Sequence, residues 1–370
     1  MPRIHLLEMY VSKYGAEIGL FGDWEVPYRF TNYIDEHMAV RTSAGLFDVS
    51  HMGRLVLRGA DVLPLIQYVY TKDLSKIKEG SMSGPTLALN EYARVKDDEM
   101  LYKVSDEEWI VVTNALVREN MLSYISQIIR EKGFRVHVED LTEKYAMIAI
   151  QGPESPRLMD EIGGKWASDL KPLEFRLDET LGNNRVFLVS RSGWTGEDGF
   201  EIWGDPISLA EIVEKLVGRG ARLAGLIARD SLRIEMGFVL GSHEYGEDPS
   251  TYPCALALRY GMGAITWGKK GFVGEEALRK CRREGVEWIR YGLKMGKEAG
   301  RLFPRQGAGV FVEDVNIGWV TSGTYSPVLN RGIAMAYLKT THAILGEQVE
   351  VDIRGKRYPA KIVDFPFIEK

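Results

Sequence analysis

The sequence predicts an α+β fold of two or three domains, and three observations support this. Its 370 residues exceed the roughly 100–200 that one domain usually holds. Before about residue 288, runs with helical spacing are mixed with runs of strand-like alternation. After that point short alternating runs and turn residues dominate, which predicts an all-β C-terminal region such as a small barrel.

The individual elements follow from local patterns. Residues 53–59 alternate between two glycines, as a half-buried strand does. Residues 116–132 carry one apolar stripe that ends at Gly133, which is typical of a helix and its stop signal. The predicted helices are 30–41, 116–132 and 207–217, and the predicted strands are 53–59, 102–104, 109–112, 145–151 and 186–190.

Composition excludes several classes of protein. Hydrophobic residues make up 45% and charged residues 27%, which argues against a disordered, collagenous or membrane-spanning chain. No stretch reaches the roughly 18 apolar residues of a membrane helix. A net charge of −5 argues against nucleic acid as the main partner, because such proteins usually carry a basic surface.

Two cysteines are too few for a disulfide framework or a four-thiolate zinc site. We therefore expect reduced thiols and a cytoplasmic location, with Cys254 as an inert core thiol among apolar neighbours. The six histidines have no metal-ligand spacing, so no metal is expected. Phosphate-loop, dinucleotide-binding, zinc-protease and nucleophile-elbow motifs do not occur in the sequence.

Four segments combine turn glycines with polar side chains. They are AGLFDVSHMG at 44–53, DD at 97–98 with Tyr102 and TNA at 113–115, SRSGWTGEDGFEI at 190–202, and GLIARDSLRIEMG at 225–237. A later stretch adds GWVTSG at 318–323, SP at 326–327, IAM at 333–335 and PF at 366–367. In this order and spacing they resemble the glycine cleavage T-protein (aminomethyltransferase) family along nearly the whole chain.

This resemblance implies a fold and an activity. The fold would be a three-domain cloverleaf of ferredoxin-like α/β modules and a C-terminal β-barrel around a central channel. Residues 1–48 with 140–280 would form a discontinuous folate-binding domain, residues 49–139 a ferredoxin-like domain, and residues 285–370 the barrel. The enzyme would take an aminomethyl group from a lipoylated carrier protein and form methylene-tetrahydrofolate and ammonia.

By resemblance, Asp98 is the catalytic carboxylate near the transferred carbon. A methylene-transfer transition state is cationic, so a fixed carboxylate would stabilise it and orient the attacking nitrogen. The alternative is that Asp98 and its neighbour Asp97 belong to a solvated charged run, KDDE.

The resemblance also marks Glu197 as the acceptor for the paired N–H donors of the pterin. The alternative is that Glu197 only caps a β-turn. Arg229 would pair with folate or organise the cleft, or else form an ion pair with Asp230 or Glu235; Arg233 is expected to be a structural partner.

Four further residues are candidates for lining the folate site. Asn114 and Tyr102 match family positions that line the pterin or its tail, and Met52 resembles an apolar wall of the channel. Trp194 stands where the family usually has tyrosine and could stack on a substrate or narrow the channel mouth. Asn114 and Tyr102 could equally be satisfied polar residues at strand ends. Met52 could equally be an ordinary core methionine.

Pro85, Ala93, Arg94 and Trp194 depart from the family pattern, and they bear on the one-carbon donor. The runner-up function is therefore a tetrahydrofolate-dependent demethylase acting on a small sulfonium, methoxy or N-methyl compound. A third hypothesis is a non-catalytic folate-binding relative in iron–sulfur assembly, whose cysteine motif does not occur here. An acidic carrier protein would need a basic rim near the channel mouth as its docking surface. The alternative is that the same residues form a solvated helix face. The candidate residues are Lys269, Lys270, Arg279, Lys280, Arg282 and Arg283.

Overall fold

The computed structural model of the chain describes residues 2–261 and 263–369. The helices are α1 (Leu7–Tyr14), α2 (Tyr33–Thr42), α3 (Val62–Val69), α4 (Arg118–Lys132), α5 (Ser155–Glu161), α6 (Pro206–Gly218), α7 (Leu226–Glu235) and α8 (Glu275–Glu284). The strands are β1 (Glu17–Phe21), β2 (Trp24–Arg29), β3 (Gly45–Asp48), β4 (Gly53–Arg58), β5 (Ser81–Leu89), β6 (Val95–Ser105), β7 (Glu108–Thr113), β8 (His137–Asp140), β9 (Ala146–Gln151), β10 (Phe175–Leu181), β11 (Asn184–Ser190), β12 (Gly199–Gly204), β13 (Arg222–Leu223), β14 (Trp288–Met295), β15 (Gly309–Val312), β16 (Val315–Ser326), β17 (Arg331–Lys339), β18 (Gln348–Ile353) and β19 (Lys356–Val363).

The predicted helices and strands form where their patterns indicate. The side chain of Asn32 accepts the backbone N–H of Ile34 and so fixes the start of α2. Gly133, with φ 70°, ends α4 in the left-handed conformation that glycine adopts without strain. Asp205 caps α6 by accepting two backbone N–H groups, and proline at the first helical position suits that start.

The chain divides into two compact units, of which the first comprises residues 2–88, 97–229 and 263–272. It contains a six-stranded sheet in the order β10-β11-β12-β9-β3-β13 and a five-stranded sheet in the order β5-β6-β7-β4-β8. Each sheet has its own apolar core, one around Ile148 and Ile202 and the other around Leu101 and Trp109. Two packed cores within this unit match the mixed α+β pattern of the sequence.

The second unit comprises residues 89–96, 230–261 and 273–369. Its main feature is a closed barrel in the order β14-β17-β16-β15-β18-β19, which has no free sheet edge. Alternate residues of these strands, such as Val320 and Ala336, fill its interior. The predicted α+β class and C-terminal barrel are confirmed, whereas the exact boundaries of the three predicted domains stay a prediction.

The expectation of two reduced thiols was wrong for this structure. Cys254 and Cys281 form a disulfide with a Cα–Cα distance of 6.9 Å. They lie 27 residues apart in the sequence, and the short helix that follows Cys254 packs against α8, which carries Cys281. Sequence spacing does not reveal this contact, because it arises from packing of the folded chain.

No helix among the described residues is both long enough and apolar enough to cross a membrane.

Candidate active site

Strand pairing brings Asp98 and Asn114 together. In the antiparallel pair β6–β7, Met100 lies opposite Val112. Two residues farther along, the same register carries Asp98 to Asn114, which directly follows the end of β7. The side-chain amide of Asn114 donates to Asp98 Oδ1 at 2.8 Å and to the Asp98 main-chain oxygen at 3.0 Å. The carboxylate is therefore held in one orientation.

Asp97 holds both members of this pair in place through hydrogen bonds. Its Oδ2 accepts the backbone N–H of Asn114 at 2.9 Å, and its Oδ1 accepts the Asn114 amide at 2.7 Å. The same Oδ1 accepts the backbone N–H of Asp98 at 3.0 Å. Asp97 is fully buried and Asp98 is 7% exposed. The hypothesis of a solvated charged run is therefore wrong for both aspartates.

Glu197 is held by Arg41, which the sequence analysis did not identify. Gly196 turns the chain with φ 77°, in the left-handed region that favours glycine. Arg41 Nη1 donates to Glu197 Oε1 at 2.9 Å and to the Thr195 carbonyl at 2.7 Å. The turn is capped by Thr195, whose Oγ1 accepts the Glu197 backbone N–H at 3.2 Å. The Glu197 carboxylate is thus paired with a cation and does not make that cap.

Buried Gln151, at the end of β9, fixes the loop that carries Glu197. Thr195 Oγ1 donates to Gln151 Oε1 at 2.8 Å, and Gln151 Nε2 donates to the Ser192 carbonyl at 2.9 Å. A Cβ atom on Gly193 would lie 1.8 Å from Gln151 Oε1, so a larger residue there would displace the Gln151 side chain from its hydrogen bonds. The glycine of this motif therefore serves a close contact with Gln151.

Tyr102 is a buried aromatic residue that contacts a third carboxylate, Glu201. It is 1% exposed and packs edge-on against Phe175 and Trp203. Its hydroxyl donates to Glu201 Oε2 at 3.4 Å, and Ser192 Oγ donates to the same oxygen at 2.8 Å. Burial raises the pKa of Glu201 above its ordinary value, against these hydrogen bonds and the charge of Arg229.

Arg229 faces a small pocket in the first unit. The start of α7 is fixed by Glu36, whose Oε2 accepts the Gly225 backbone N–H at 2.8 Å. Among the described residues, Arg229 Nη1 and His51 Nδ1 are buried without a hydrogen-bond partner. Burial, followed by the charges of Arg229 and Arg54, lowers the pKa of His51 to about 3. The pocket is lined by Val26, Pro27, Phe47, Asp48, His51, Ala224, Gly225, Leu226 and Arg229.

Arg233 is the structural residue that the sequence indicates. Its Nε lies 2.8 Å from Asp230 Oδ1, and its Nη1 lies 2.9 Å from buried Glu244. Asp230 is thus engaged by Arg233. The other two predicted lining residues, Met52 and Trp194, are half-buried, and their contact with folate stays a prediction.

Two residues of the predicted basic rim already bind other groups of this chain. Lys269 Nζ donates to the carbonyls of Tyr70 and Lys72 at 2.6 and 2.7 Å, and burial lowers its pKa to about 8. Arg279 pairs with Glu275 at 2.6 Å, one helical turn away. Lys269 therefore anchors a loop, which a count of basic residues does not reveal.

The site is organised around anchored carboxylates. Asp98, Glu197 and Glu201 are each oriented by a neutral or cationic donor, so they can accept N–H groups or stabilise developing positive charge. Within residues 2–261 and 263–369, no group of three or more histidine, cysteine, aspartate or glutamate side chains could hold a metal ion.

Comparison with known proteins gives matches along the chain. Residues 7–262 match the family described as "GCVT N-terminal domain", and residues 290–369 match "Glycine cleavage T-protein C-terminal barrel domain". A protein of Aeropyrum pernix described as "Probable aminomethyltransferase" is 54% identical, with 100% of this chain and 98% of that protein covered. An aminomethyltransferase of Geobacillus thermodenitrificans is 35% identical, with 100% and 99% covered. The crystal structure of the glycine cleavage system aminomethyltransferase T from Bartonella henselae matches with a TM-score of 0.87 at 29% identity, covering 99% of this chain and 98% of that one.

Proposed function

This chain belongs to the glycine cleavage T-protein family, and from that premise we propose how its anchored carboxylates serve one-carbon transfer. It is an aminomethyltransferase of the glycine cleavage type, a transferase of one-carbon groups. The demethylase hypothesis is not favoured, because full-length relatives with 35% and 54% identity are described as aminomethyltransferases. The donor is an aminomethyl group bonded through sulfur to the lipoyl arm of a carrier protein, and the acceptor is tetrahydrofolate. Two nitrogens of tetrahydrofolate bond to the transferred carbon, its C–N bond breaks to release ammonia, and its C–S bond breaks to leave the arm as the reduced dithiol.

Asp98 is the catalytic carboxylate of this proposal. The observation that carries it is the 2.8 Å hydrogen bond from Asn114, which fixes a nearly buried anion before substrate arrives. A preorganised anion in a water-poor site stabilises the positive charge that develops when ammonia leaves the aminomethyl carbon. It also orients the folate nitrogen that attacks this carbon.

Glu197 binds the pterin in this proposal. Its carboxylate accepts the adjacent ring and exocyclic N–H groups, while the hydrogen bond from Arg41 orients it. The buried, unpartnered Arg229 Nη1 and His51 Nδ1 support a polar ligand beside them, because such groups rarely stay unsatisfied. Tyr102, Met52 and Trp194 would complete the walls of the folate site.

The carrier protein and the cellular location belong to the same proposal. Membership of the glycine cleavage T-protein family supports a carrier protein as the source of the one-carbon group, and we propose that this carrier is lipoylated. The cytoplasmic location expected from the sequence is proposed as well. Within the predicted basic rim, Lys269 and Arg279 are weaker candidates for binding the carrier, since both already bind groups of this chain.

The proposal is tested by ammonia release from an aminomethylated, lipoylated carrier in the presence of tetrahydrofolate. We expect Asp98→Asn to lower kcat by about a hundredfold or more while the folate Kd stays within a few-fold. Asp106→Asn is the matched control, because Asp106 lies in the hairpin after β6 with its side chain 84% exposed.

Calorimetric titration with tetrahydrofolate supplies the second measurement. Wild-type turnover by Asp98→Asn would remove Asp98 from the mechanism. Folate binding without carrier-dependent ammonia release would contradict the proposed donor, and the absence of folate binding would contradict the proposed acceptor.

A further inference from the structure

We infer that Glu99 is a positioning residue for Asp98, acting as a neutral acid that donates a hydrogen bond to Asp97. This inference rests on the proposed catalytic role of Asp98. It concerns a buried acid that the proposed chemistry does not use and that neither the sequence pattern nor the family resemblance identified.

The strand geometry places Glu99 beside Asp97. Side chains alternate between the two faces of a strand, so residues 97 and 99 of β6 share one face. The next residue on that face, Leu101, belongs to an apolar core that also contains Tyr70. Glu99 is 1% exposed, and the hydroxyl of Tyr70 acts on its carboxyl group.

The hydrogen-bond donors around β6 decide which of the three acids are charged. The Asp97 carboxylate accepts three N–H groups: the backbone and side-chain N–H of Asn114 and the backbone N–H of Asp98. The Asp98 carboxylate accepts the side-chain amide of Asn114. Neither carboxyl oxygen of Glu99 makes a well-aligned hydrogen bond among the described residues, and no N–H group reaches it there. The Tyr70 hydroxyl acts on this carboxyl group but offsets the cost of its burial only in part, so Glu99 is the acid that keeps its proton.

The groups that face Glu99 agree with this assignment. Burial, together with the neighbouring charges of Asp97 and Asp98, raises the pKa of Glu99 well above its ordinary value. Tyr70 faces it from the end of α3, and burial raises the pKa of that phenol as well. Besides Glu99 and Asp97, Tyr124 of α4 is the titratable group that acts on Tyr70.

A neutral carboxyl group has one O–H donor, and a charged acceptor, Asp97, lies on the same strand face. That bond would add a fourth donor to a carboxylate that already holds Asn114. Asn114 in turn donates to Asp98 at 2.8 Å, so a shift of Asp97 would move Asn114 and, through it, the catalytic carboxylate of Asp98. A positional error at such a group costs rate more than substrate affinity.

The experiment compares Glu99→Leu, which removes the donor, with Glu99→Gln, which keeps a neutral donor of similar size. We expect Glu99→Leu to lower kcat about tenfold, with the tetrahydrofolate Kd within a few-fold, and Glu99→Gln to recover most of that loss. Glu119→Leu and Glu119→Gln are the controls, because that side chain in the first turn of α4 is 85% exposed.

The pH profile gives a second readout that does not depend on the leucine variant folding. Ionisation of Glu99 at alkaline pH removes the O–H donor, so wild-type kcat should fall there while that of Glu99→Gln does not. Identical alkaline limbs, wild-type kcat in Glu99→Leu, or equal losses in both variants would each overturn the inference. Asp98→Asn is run alongside: wild-type turnover in it refutes the proposed function, whereas a loss in Asp98→Asn without one in Glu99→Leu refutes the role of Glu99 alone.

Discussion

Replacing Arg41 with methionine should weaken tetrahydrofolate binding through Glu197. Arg41 donates to the Glu197 carboxylate at 2.9 Å and to the Thr195 carbonyl at 2.7 Å. The side chains of Arg41 and Glu197 are only 6% and 16% exposed, so solvent screens this pair little. Hydrogen bonds to charged groups in such places contribute about 1.5–3 kcal/mol. If that energy orients the pterin acceptor, the folate Kd rises about tenfold to about a hundredfold.

The assay is calorimetric titration of the purified variant with tetrahydrofolate, alongside kcat at saturating folate. We expect the loss in Kd, with kcat reduced much less, because Arg41 acts on Glu197 and not on Asp98. Arg157→Met is the control, since Arg157 pairs with Glu154 and Glu161 at half-exposed positions. A folate Kd that stays within twofold of wild type in Arg41→Met would refute the role of Arg41.

Two further predictions concern Glu197 and the disulfide. Glu197→Gln should weaken tetrahydrofolate by about 1.5–3 kcal/mol in the same titration, whereas Glu214→Gln, at a surface ion pair, should not; an unchanged Kd would leave Glu197 a structural residue. Removing the Cys254–Cys281 bond by double serine substitution should lower the free energy of unfolding by about 3 kcal/mol, since it closes a loop of 27 residues. Rapid alkylation of both thiols in unreduced native protein would contradict that bond.

Much of the fold could be predicted because its elements are locally specified. The stripe of α4 and its Gly133 stop are both readable from sequence, and both were confirmed. Helix α3 was not predicted, although Val62, Leu65 and Ile66 bury one face of it. Its sequence, DVLPLIQYV, carries a proline that reads as a helix breaker, yet proline is tolerated in a first helical turn.

The site was predictable only where its chemistry lies in short motifs. Asp98 and Asn114 stand out in their local segments, and strand register then joins them. Arg41 did not stand out, because nothing in helix α2 indicates that its cation meets a turn 156 residues later. The buried positions of Lys269 and Glu99 were not predicted, for a different reason. Each lies in a charged stretch that looks solvated, and only tertiary packing buries it.

His51 should make the protein less stable in acid. It is 3% exposed, and burial with the charges of Arg229 and Arg54 lowers its pKa to about 3, against about 6.5 in an unfolded chain. Below pH 6.5 the unfolded chain therefore takes up a proton that the native state does not. The contribution of His51 to the free energy of unfolding is therefore complete above pH 6.5 and declines as the pH falls towards 3. At pH 5 this contribution is lower by about 2 kcal/mol.

His51→Phe removes this titration while keeping an aromatic ring against Phe21, whose centroid lies 5.4 Å from that of His51. Urea unfolding at pH 7 and pH 5 should then show a smaller loss of unfolding free energy for His51→Phe than for wild type. Exposed His137, replaced in the same way, should leave the loss unchanged. If His51→Phe loses as much stability as wild type between these pH values, His51 already carries its proton in the native state. An imidazolium beside Arg229 would then require an anionic partner in this pocket, and Asp48, which also lines it, would be the residue to substitute next.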